Sequence, residues 1–495
     1  MAGEMRVLML AAEMVPFAKT GGLADVLGAL PKGLKQLGVD VRVAMPRYGR
    51  IDPAKFDLRV EIDNLPVSMD EATESVRVLQ TSVGDGIPVY FVDSERYFNR
   101  EGIYGYPDDG ERFILYCRAS LEMLKELEWC PDVIHCHDWH AGVVPNWLKT
   151  IYRSDPFWSR IASVFTIHNL QYQGVFGHRI LEVAGIEEYG FLYHPQMQEL
   201  ASVVDLLARG IYFADVISTV SERYAREILT PEFGEKLDPL LTDRRDRLFG
   251  VLNGLDYDEV NPATDRYIAT RFDVDHLERR IENKLALQRE ANLTVDASIP
   301  LAGMISRMVD QKGFDILAEA FDDMMQSLPL QFVLLGTGDQ HYHNIFNRFA
   351  QTYPDRAAIF LTFNAALAQR IYAGADVFLM PSRFEPCGLG QLIGLRYGCI
   401  PVVRSTGGLA DTVQDYNPRT GEGNGFAFER YHHTDLLVAV VRALENMKCA
   451  STWQSLQRRG MQADFSWGAS AAKYLDLYRR AVQYHSAEQR EVAGA

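Results

Sequence analysis

Short runs rich in valine, isoleucine and leucine alternate along this chain with longer stretches whose apolar residues recur every three or four positions. The first run, RVLMLAA, reads as a buried strand. The segment after it places Leu23, Val26, Leu27, Leu30, Leu34 and Leu37 on one helical face, with a kink predicted at Pro31 and a stop at Gly38. The strand series continues with DVRVAMP, IPVYFVD, DVIHCHD, SVFTIHN, DVISTVS and RLFGVLNG, several followed by helical stretches. This rhythm predicts a mostly parallel sheet covered by helices.

A second series starts near Pro300 with PLAGMIS, QFVLLGTG, AAIFLTF, DVFLMPS and IPVVRS. Between the two series, Leu255 to Asp275 is polar, carries Pro262 and has no strand character, so the boundary falls there. The fold class is therefore α/β, with two Rossmann-like doubly wound domains facing a central cleft. The predicted division is residues 1–255, residues 256–465, and a C-terminal segment 466–495 that crosses back to the first domain. In that segment Ser466 is the candidate helix cap, Tyr474, Leu475, Tyr478 and Val482 form an apolar face, and the final SAEQREVAGA reads as a frayed tail.

Length and charge narrow the classes. A chain of 495 residues exceeds one ordinary core, and 47% hydrophobic with 23% charged residues excludes a disordered or fibrous protein. The net charge of −16 argues against nucleic-acid and anionic-membrane partners, so any basic cluster needs a local reason. Six cysteines without a CxxC pair suit a reducing compartment, and the apolar run Val7 to Ala12 is too short for a signal peptide or a membrane span. A soluble cytoplasmic protein is expected.

One hexamer, TGGLAD, occurs twice, at Thr20 to Asp25 and at Thr406 to Asp411, each time after a strand and opening a helix. Gly21 and Gly22 permit a tight turn and close backbone approach. The first N–H groups of the helix, with Lys19 beside them, make a plausible diphosphate cradle, although the pattern is neither a P-loop nor GxGxxG. The alternative is a loop needed only for packing. SRMVDQKG sets Arg307 at a strand end and Lys312 at a helix start, where the two cations can neutralise an anionic leaving group, or else are solvated surface charges.

HCHDWH gathers His135, His137 and His140 around Asp138, and TIHNLQYQG puts His168 and Asn169 at another strand end. Without well-spaced Cys or carboxylate ligands, a zinc site is disfavoured and polar groups lining a cleft or bonding the backbone are expected. PSRFEPCGLGQL holds Glu385 between a strand and a helix, restricted by Pro386. Such a carboxylate can bond a polyol and stabilise developing positive charge, or can simply cap the helix. Cys387 has no evident base and reads as a packing residue.

Taken together, KTGGLADV, REGIYGYPDDGERF, HCHDWHAG, IHNLQYQG, VLNGLD, SRMVDQKG, PSRFEPCGLGQL, STGGLADTV and DFSW, in this order from residue 19 to 467, resemble bacterial glycogen synthases and plant starch synthases of glycosyltransferase family 5. The resemblance implies a GT-B fold and retaining transfer of glucose from ADP-glucose to the non-reducing end of an α-1,4-glucan, with UDP-glucose as the alternative donor and no metal or other cofactor. It implies that Lys19, Gly21 and Gly22 contact the donor diphosphate and that Arg307 and Lys312 neutralise it. His168 would lie against the donor glucose and Glu385 would orient that sugar. Tyr104, Asp138 and Asn253 would line the acceptor side, and Asp25, Asn169, Cys387, Gly388, Leu389 and Gly407 would complete the substrate-contacting set, the second glycine loop shaping the nucleotide side.

Two departures stand out. Many relatives carry Thr or Asn where this chain has Gly390, and Arg where it has Ser405. A lost side-chain contact at the diphosphate would shift donor affinity or nucleotide preference, and Gly390→Thr is expected to retain activity. A different GT-B glycosyltransferase would be less expected to carry KTGGLADV together with HCHDWHAG. A dehydrogenase is disfavoured by the missing GxGxxG. A non-catalytic glucan-binding protein would not require Lys19, Arg307, Lys312 and Glu385 together.

Overall fold

The computed structural model describes residues 4–70 and 72–494. The chain divides into two compact units, Met1–Gly254 together with Trp467–Ala495, and Leu255–Ser466.

The first unit holds β1 (Arg6–Leu10), β2 (Asp40–Pro46), β3 (Arg59–Met69), β4 (Ala72–Val83), β5 (Ile87–Asp93), β6 (Val133–His137), β7 (Ala162–Ile167), β8 (Val175–Phe176), β9 (Val204–Asp205), β10 (Val216–Thr219) and β11 (Leu248–Gly250). Nine of these form one sheet in the order β11-β10-β7-β6-β1-β2-β5-β4-β3, and β8 pairs separately with β9. From β11 to β5 every pairing is parallel, with Val7 flanked by Val41 and Val133. β3 and β4 add an antiparallel hairpin at the edge. The second unit holds β12 (Leu301–Ile305), β13 (Gln331–Leu335), β14 (Ala357–Phe360), β15 (Val377–Met380), β16 (Ile400–Arg404) and β17 (Phe426–Phe428), all parallel, in the order β14-β13-β12-β15-β16-β17.

In chain order that second sheet reads 3-2-1-4-5-6, the doubly wound arrangement, and the parallel part of the first sheet follows the same scheme. In such sheets, ligands bind beyond the carboxyl ends of the strands where the strand order reverses. The reversal lies between β1 and β6 in the first unit and between β12 and β15 in the second. The loop after β1 carries the first TGGLAD, and the loop after β6 carries Asp138. The loop after β12 carries Arg307 and Lys312, and the loop after β15 carries Glu385.

The helix Gly22–Gln36 runs unbroken through Pro31 and buries Leu23, Val26, Leu27, Leu30 and Leu34. The C-terminal helix, Trp467–Gly494, belongs to the first unit and packs on Gly22–Gln36, β6, β7 and β10. Its buried seam is Trp467, Ala471, Tyr474, Leu477, Tyr478 and Ala481, whereas the expected Leu475 and Val482 are only partly buried. Gly33 lets it approach, because a Cβ there would lie 2.9 Å from the Ala471 methyl and 3.2 Å from the Trp467 carbonyl oxygen.

The frayed tail is not found. The helix continues to Gly494, with Glu488 2.7 Å from Lys149 and the Gln489 amide donating to the Ser159 carbonyl. Lys149 also pairs with the buried Asp215 at 2.6 Å, and His485 Nδ1 lies 3.3 Å from the same carboxylate. Burial by itself would lower the His485 pKa, but the hydrogen bond and charge of Asp215 outweigh it and raise the value. These polar anchors explain why a hydrophilic end stays helical.

Candidate active site

In the first unit, one buried carboxylate organises the glycine loop. Glu13, three residues beyond β1, accepts the Thr20 N–H, the Thr20 hydroxyl at 2.6 Å, the Gly21 N–H at 3.1 Å and the Tyr104 hydroxyl at 2.6 Å. Four donors on one carboxylate fix both the loop backbone and the half-buried Tyr104, whose ring stacks on His140 at 4.9 Å. Gly21 and Gly22 are exposed, and a Cβ at either would meet nothing within 4 Å, so the face of this loop is open. Lys19 does not stand as a lone cation. Its ammonium lies 2.6 and 2.8 Å from the Asp25 carboxylate oxygens, at the surface.

The histidines sort into different tasks. His135 is fully buried between the Thr166 hydroxyl (2.6 Å) and the Tyr478 hydroxyl (2.9 Å), a core network that continues from Thr166 to Ser218. Burial holds it down to about 3, so it stays neutral. His137 Nδ1 lies 2.9 Å from His168 Nε2, which requires one donor and one acceptor. Desolvation lowers the pKa of both, consistent with neutral rings.

That bond engages Nε2 of the partly exposed His168 and does not use its Nδ1. Asp138 sits at φ 56°, in the left-handed region, and accepts the His168 N–H at 2.7 Å. Burial pushes its carboxyl up to about 7 despite the backbone N–H groups it accepts. Asn169 caps a turn through the Gln171 N–H at 3.0 Å, and Asn253 is buried with its side-chain oxygen unpartnered among the described residues. No three His, Cys, Asp or Glu side chains among the described residues are grouped to hold a metal ion.

In the second unit, Glu385 is buried, and its carboxylate oxygens lie 2.9 and 2.7 Å from the Lys312 ammonium, with the Ser382 hydroxyl donating at 3.0 Å. It therefore does not act as a helix cap. The following helix, Gly390–Arg396, starts with Leu389 at its N-cap and no capping side chain. Arg307 is exposed beyond β12 and makes no ion pair among the described residues. Gly313, at φ 77°, allows the Pro381 carbonyl to pass where a Cβ would lie, 2.1 Å away, which brings the Lys312 and Glu385 loops together. Gly388, also at positive φ, and Cys387 expose their carbonyls to the Gln391 amide at 2.9 and 3.0 Å.

Comparison with known proteins decides the family. Residues 6–243 match the starch synthase catalytic domain, and residues 299–446 match glycosyl transferases group 1. The chain is 49% identical over 482 residues to a glycogen synthase from Moorella thermoacetica, covering 97% of both chains. It is 46% identical over 484 residues to one from Thermotoga maritima, covering 97% of this chain and 99% of that one. The catalytic domain of starch synthase IV from Arabidopsis thaliana, solved bound to ADP and acarbose, superposes with a TM-score of 0.90 at 35% identity, over 97% of this chain and 100% of that one.

The chain belongs to the glycogen and starch synthase family. Its fold is the GT-B fold of that family. Sucrose-phosphate synthase from Thermosynechococcus elongatus, at 17% identity and a TM-score of 0.59, shares the fold alone.

Within this glycogen/starch synthase framework, Lys312 with Glu385, Asp138 with His168, and Gly21 with Tyr104 through Glu13 are brought together inside their own units. Glu13 escaped the sequence reading. The available signal was a carboxylate directly after a buried strand, which needs donors wherever it cannot reach water. Gly407, expected to shape the nucleotide side, has no open face of the kind seen at Gly21. It is buried against the Glu385 peptide. Gly390 is likewise no simple vacancy at a ligand, since a Cβ there would lie 2.9 Å from the Phe378 ring and 3.2 Å from the Met380 sulfur.

Proposed function

We propose that this synthase transfers glucose from ADP-glucose to the non-reducing end of an α-1,4-glucan with retention of anomeric configuration, in the cytoplasm and without a metal. The observation that carries the reading is the cluster of the half-buried Lys312 with the buried Glu385 and Ser382 at the reversal between β12 and β15. ADP as the nucleotide is supported by the starch synthase IV catalytic domain, which was solved with ADP and acarbose. All six cysteines are free thiols, in keeping with a reducing compartment, and no helix among the described residues is long and apolar enough to cross a membrane.

In the reaction, the bond from glucose C1 to the diphosphate oxygen breaks and a bond from C1 to the acceptor 4-oxygen forms. The acceptor proton leaves with the departing diphosphate or to solvent. The departing diphosphate gains negative charge, and Lys312 and Arg307 are the cations suited to stabilise it in a partly dry site. Glu385 accepts hydrogen bonds from the sugar hydroxyls and faces the positive charge that grows at C1. His168, neutral, is the first unit's candidate for a hydrogen bond to a sugar hydroxyl through Nδ1.

The glycine loop with Lys19 is the first unit's candidate diphosphate contact, with Asp25 as the partner that Lys19 exchanges for phosphate. Tyr104, Asp138 and Asn253 serve the acceptor. The test is incorporation from ADP-glucose and UDP-glucose into glycogen, with Glu385→Ala as control. Folded protein that binds glucan but transfers from neither nucleotide would replace this reading with a non-catalytic one.

A further inference from the structure

The two TGGLAD copies have identical sequences and opposite environments. Around Gly21 and Gly22, space for a side chain is open. Around Gly407 and Gly408 it is filled by backbone: a Cβ on Gly407 would lie 2.0 Å from the Glu385 carbonyl oxygen, and one on Gly408 would lie 2.0 Å from that of Cys387. Gly407 sits at φ 45°, where a side chain is disfavoured in any case. The Gly408 N–H is already used, donating to the Glu385 carbonyl at 3.1 Å and to that of Pro386 at 3.2 Å. The helix that follows is only Gly407–Thr412, against the fifteen residues of Gly22–Gln36. A spent N–H, a closed surface and a six-residue helix do not make an anion cradle.

We propose that the second copy is a positioning device for Glu385. Its glycine pair is the contact surface on which the Glu385–Pro386–Cys387 backbone rests. The Gln391 amide grips the next two carbonyls, those of Cys387 and Gly388, while its nitrogen also reaches the Thr412 hydroxyl at 3.2 Å. The carboxylate end of Glu385 is held by Lys312 and Ser382, and its peptide end by Gly408. Gly407 and Gly408 are thus positioning residues acting through Glu385. Their catalytic effect rests on the reading that Glu385 works on the donor sugar.

Gly407→Ala forces the Glu385 carbonyl back by about 1 Å, since real Cβ contacts are essentially never under 3.0 Å. A misplacement of about that size can cost ~100-fold in rate. The experiment compares the full-length parent, Gly407→Ala and Glu385→Gln for kcat and for ADP dissociation constant. It also measures the melting temperatures of Lys312→Met, Glu385→Gln and their double variant, with and without Gly407→Ala.

The expected result is a kcat lowered at least tenfold in Gly407→Ala, an ADP dissociation constant no more than threefold above that of the parent, and loss of the non-additivity between the Lys312 and Glu385 substitutions. An ADP dissociation constant raised tenfold or more with that non-additivity intact overturns the proposal and restores a ligand loop. If Glu385→Gln keeps full kcat, the catalytic reading of Glu385 fails and the melting-temperature cycle alone decides the positioning role. Should Gly407→Ala not fold, Gln391→Met removes the grip on the two carbonyls without intruding on them, and a smaller shift in the same pattern is expected. No change in either readout overturns the proposal.

Discussion

Replacing Glu385 by glutamine should strengthen ADP binding while it removes turnover. Lys312 is engaged by both Glu385 oxygens, at 2.9 and 2.7 Å, so an incoming diphosphate has to share an ammonium that is already bonded. At an effective dielectric constant of ~20 the gross attraction at this separation is about 6 kcal/mol, most of it offset by desolvation. A net value of about 2–3 kcal/mol is typical of hydrogen bonds to charged groups. If the diphosphate recovers about half of that once the carboxylate is neutral, the gain of ~1.4 kcal/mol is about tenfold in affinity.

Glutamine preserves the shape, and the Ser382 hydroxyl can turn from donor to acceptor. Turnover should fall at least ~100-fold, the scale of losing a group that acts on transition-state charge. Calorimetric titration with ADP and initial rates on glycogen read the two effects separately. Unchanged or weaker ADP binding in Glu385→Gln would refute the competition for Lys312, and Lys312→Met should move affinity the opposite way, weakening it at least about tenfold.

Three further outcomes follow from named contacts. Asp138 titrates near 7 because of burial, against ~4 for an unfolded chain, so between those pH values the folded state holds a proton that the unfolded state has released and stability falls as pH rises. Asp138→Asn should therefore be more stable than the parent at pH 8 by roughly 1–2 kcal/mol in thermal unfolding, after allowing for solvent contact, the difference vanishing toward pH 4. Glu13→Gln places an amide N–H₂ among donors from Thr20, Gly21 and Tyr104; it should raise the KM for ADP-glucose about tenfold or more, checked by initial rates at saturating glycogen. Gly390→Thr pushes on the Phe378 ring and should lower stability by about 1–3 kcal/mol, which Phe378→Val partly restores in thermal unfolding; equal melting of parent and Gly390→Thr would show that the ring yields freely.

The parallel strands were legible because strands buried on both faces read as nearly continuous apolar runs; IPVYFVD coincides with β5 residue for residue, and DVRVAMP with β2, whose Asp40 and Arg42 sit at its partly buried end. The β3–β4 hairpin was not, since one of its faces is exposed and charges interrupt the alternation at a sheet edge. Lys312 and Glu385 were recognisable one by one, but 73 positions separate them and only the strand order of the second sheet makes them partners.

The two TGGLAD copies mark the limit most plainly. Identical letters cannot tell an open glycine turn from one closed by the Glu385 backbone, because the difference lies in residues that arrive from elsewhere in the chain. The C-terminal end was misread because its anchors, Lys149, Ser159 and Asp215, are likewise distant in sequence.

The proposed function stands on metal-independent glucosyl transfer from ADP-glucose by a site that depends on Glu385. The most direct measurement is incorporation of labelled glucose from ADP-glucose into glycogen by the purified protein in excess EDTA, beside UDP-glucose and Glu385→Ala. Sensitivity of the product to an α-1,4-specific hydrolase reports the linkage. Incorporation from ADP-glucose is expected to survive chelation, to be released by the hydrolase and to disappear in Glu385→Ala. Transfer that stops with EDTA, or that persists in Glu385→Ala, would contradict the proposed function.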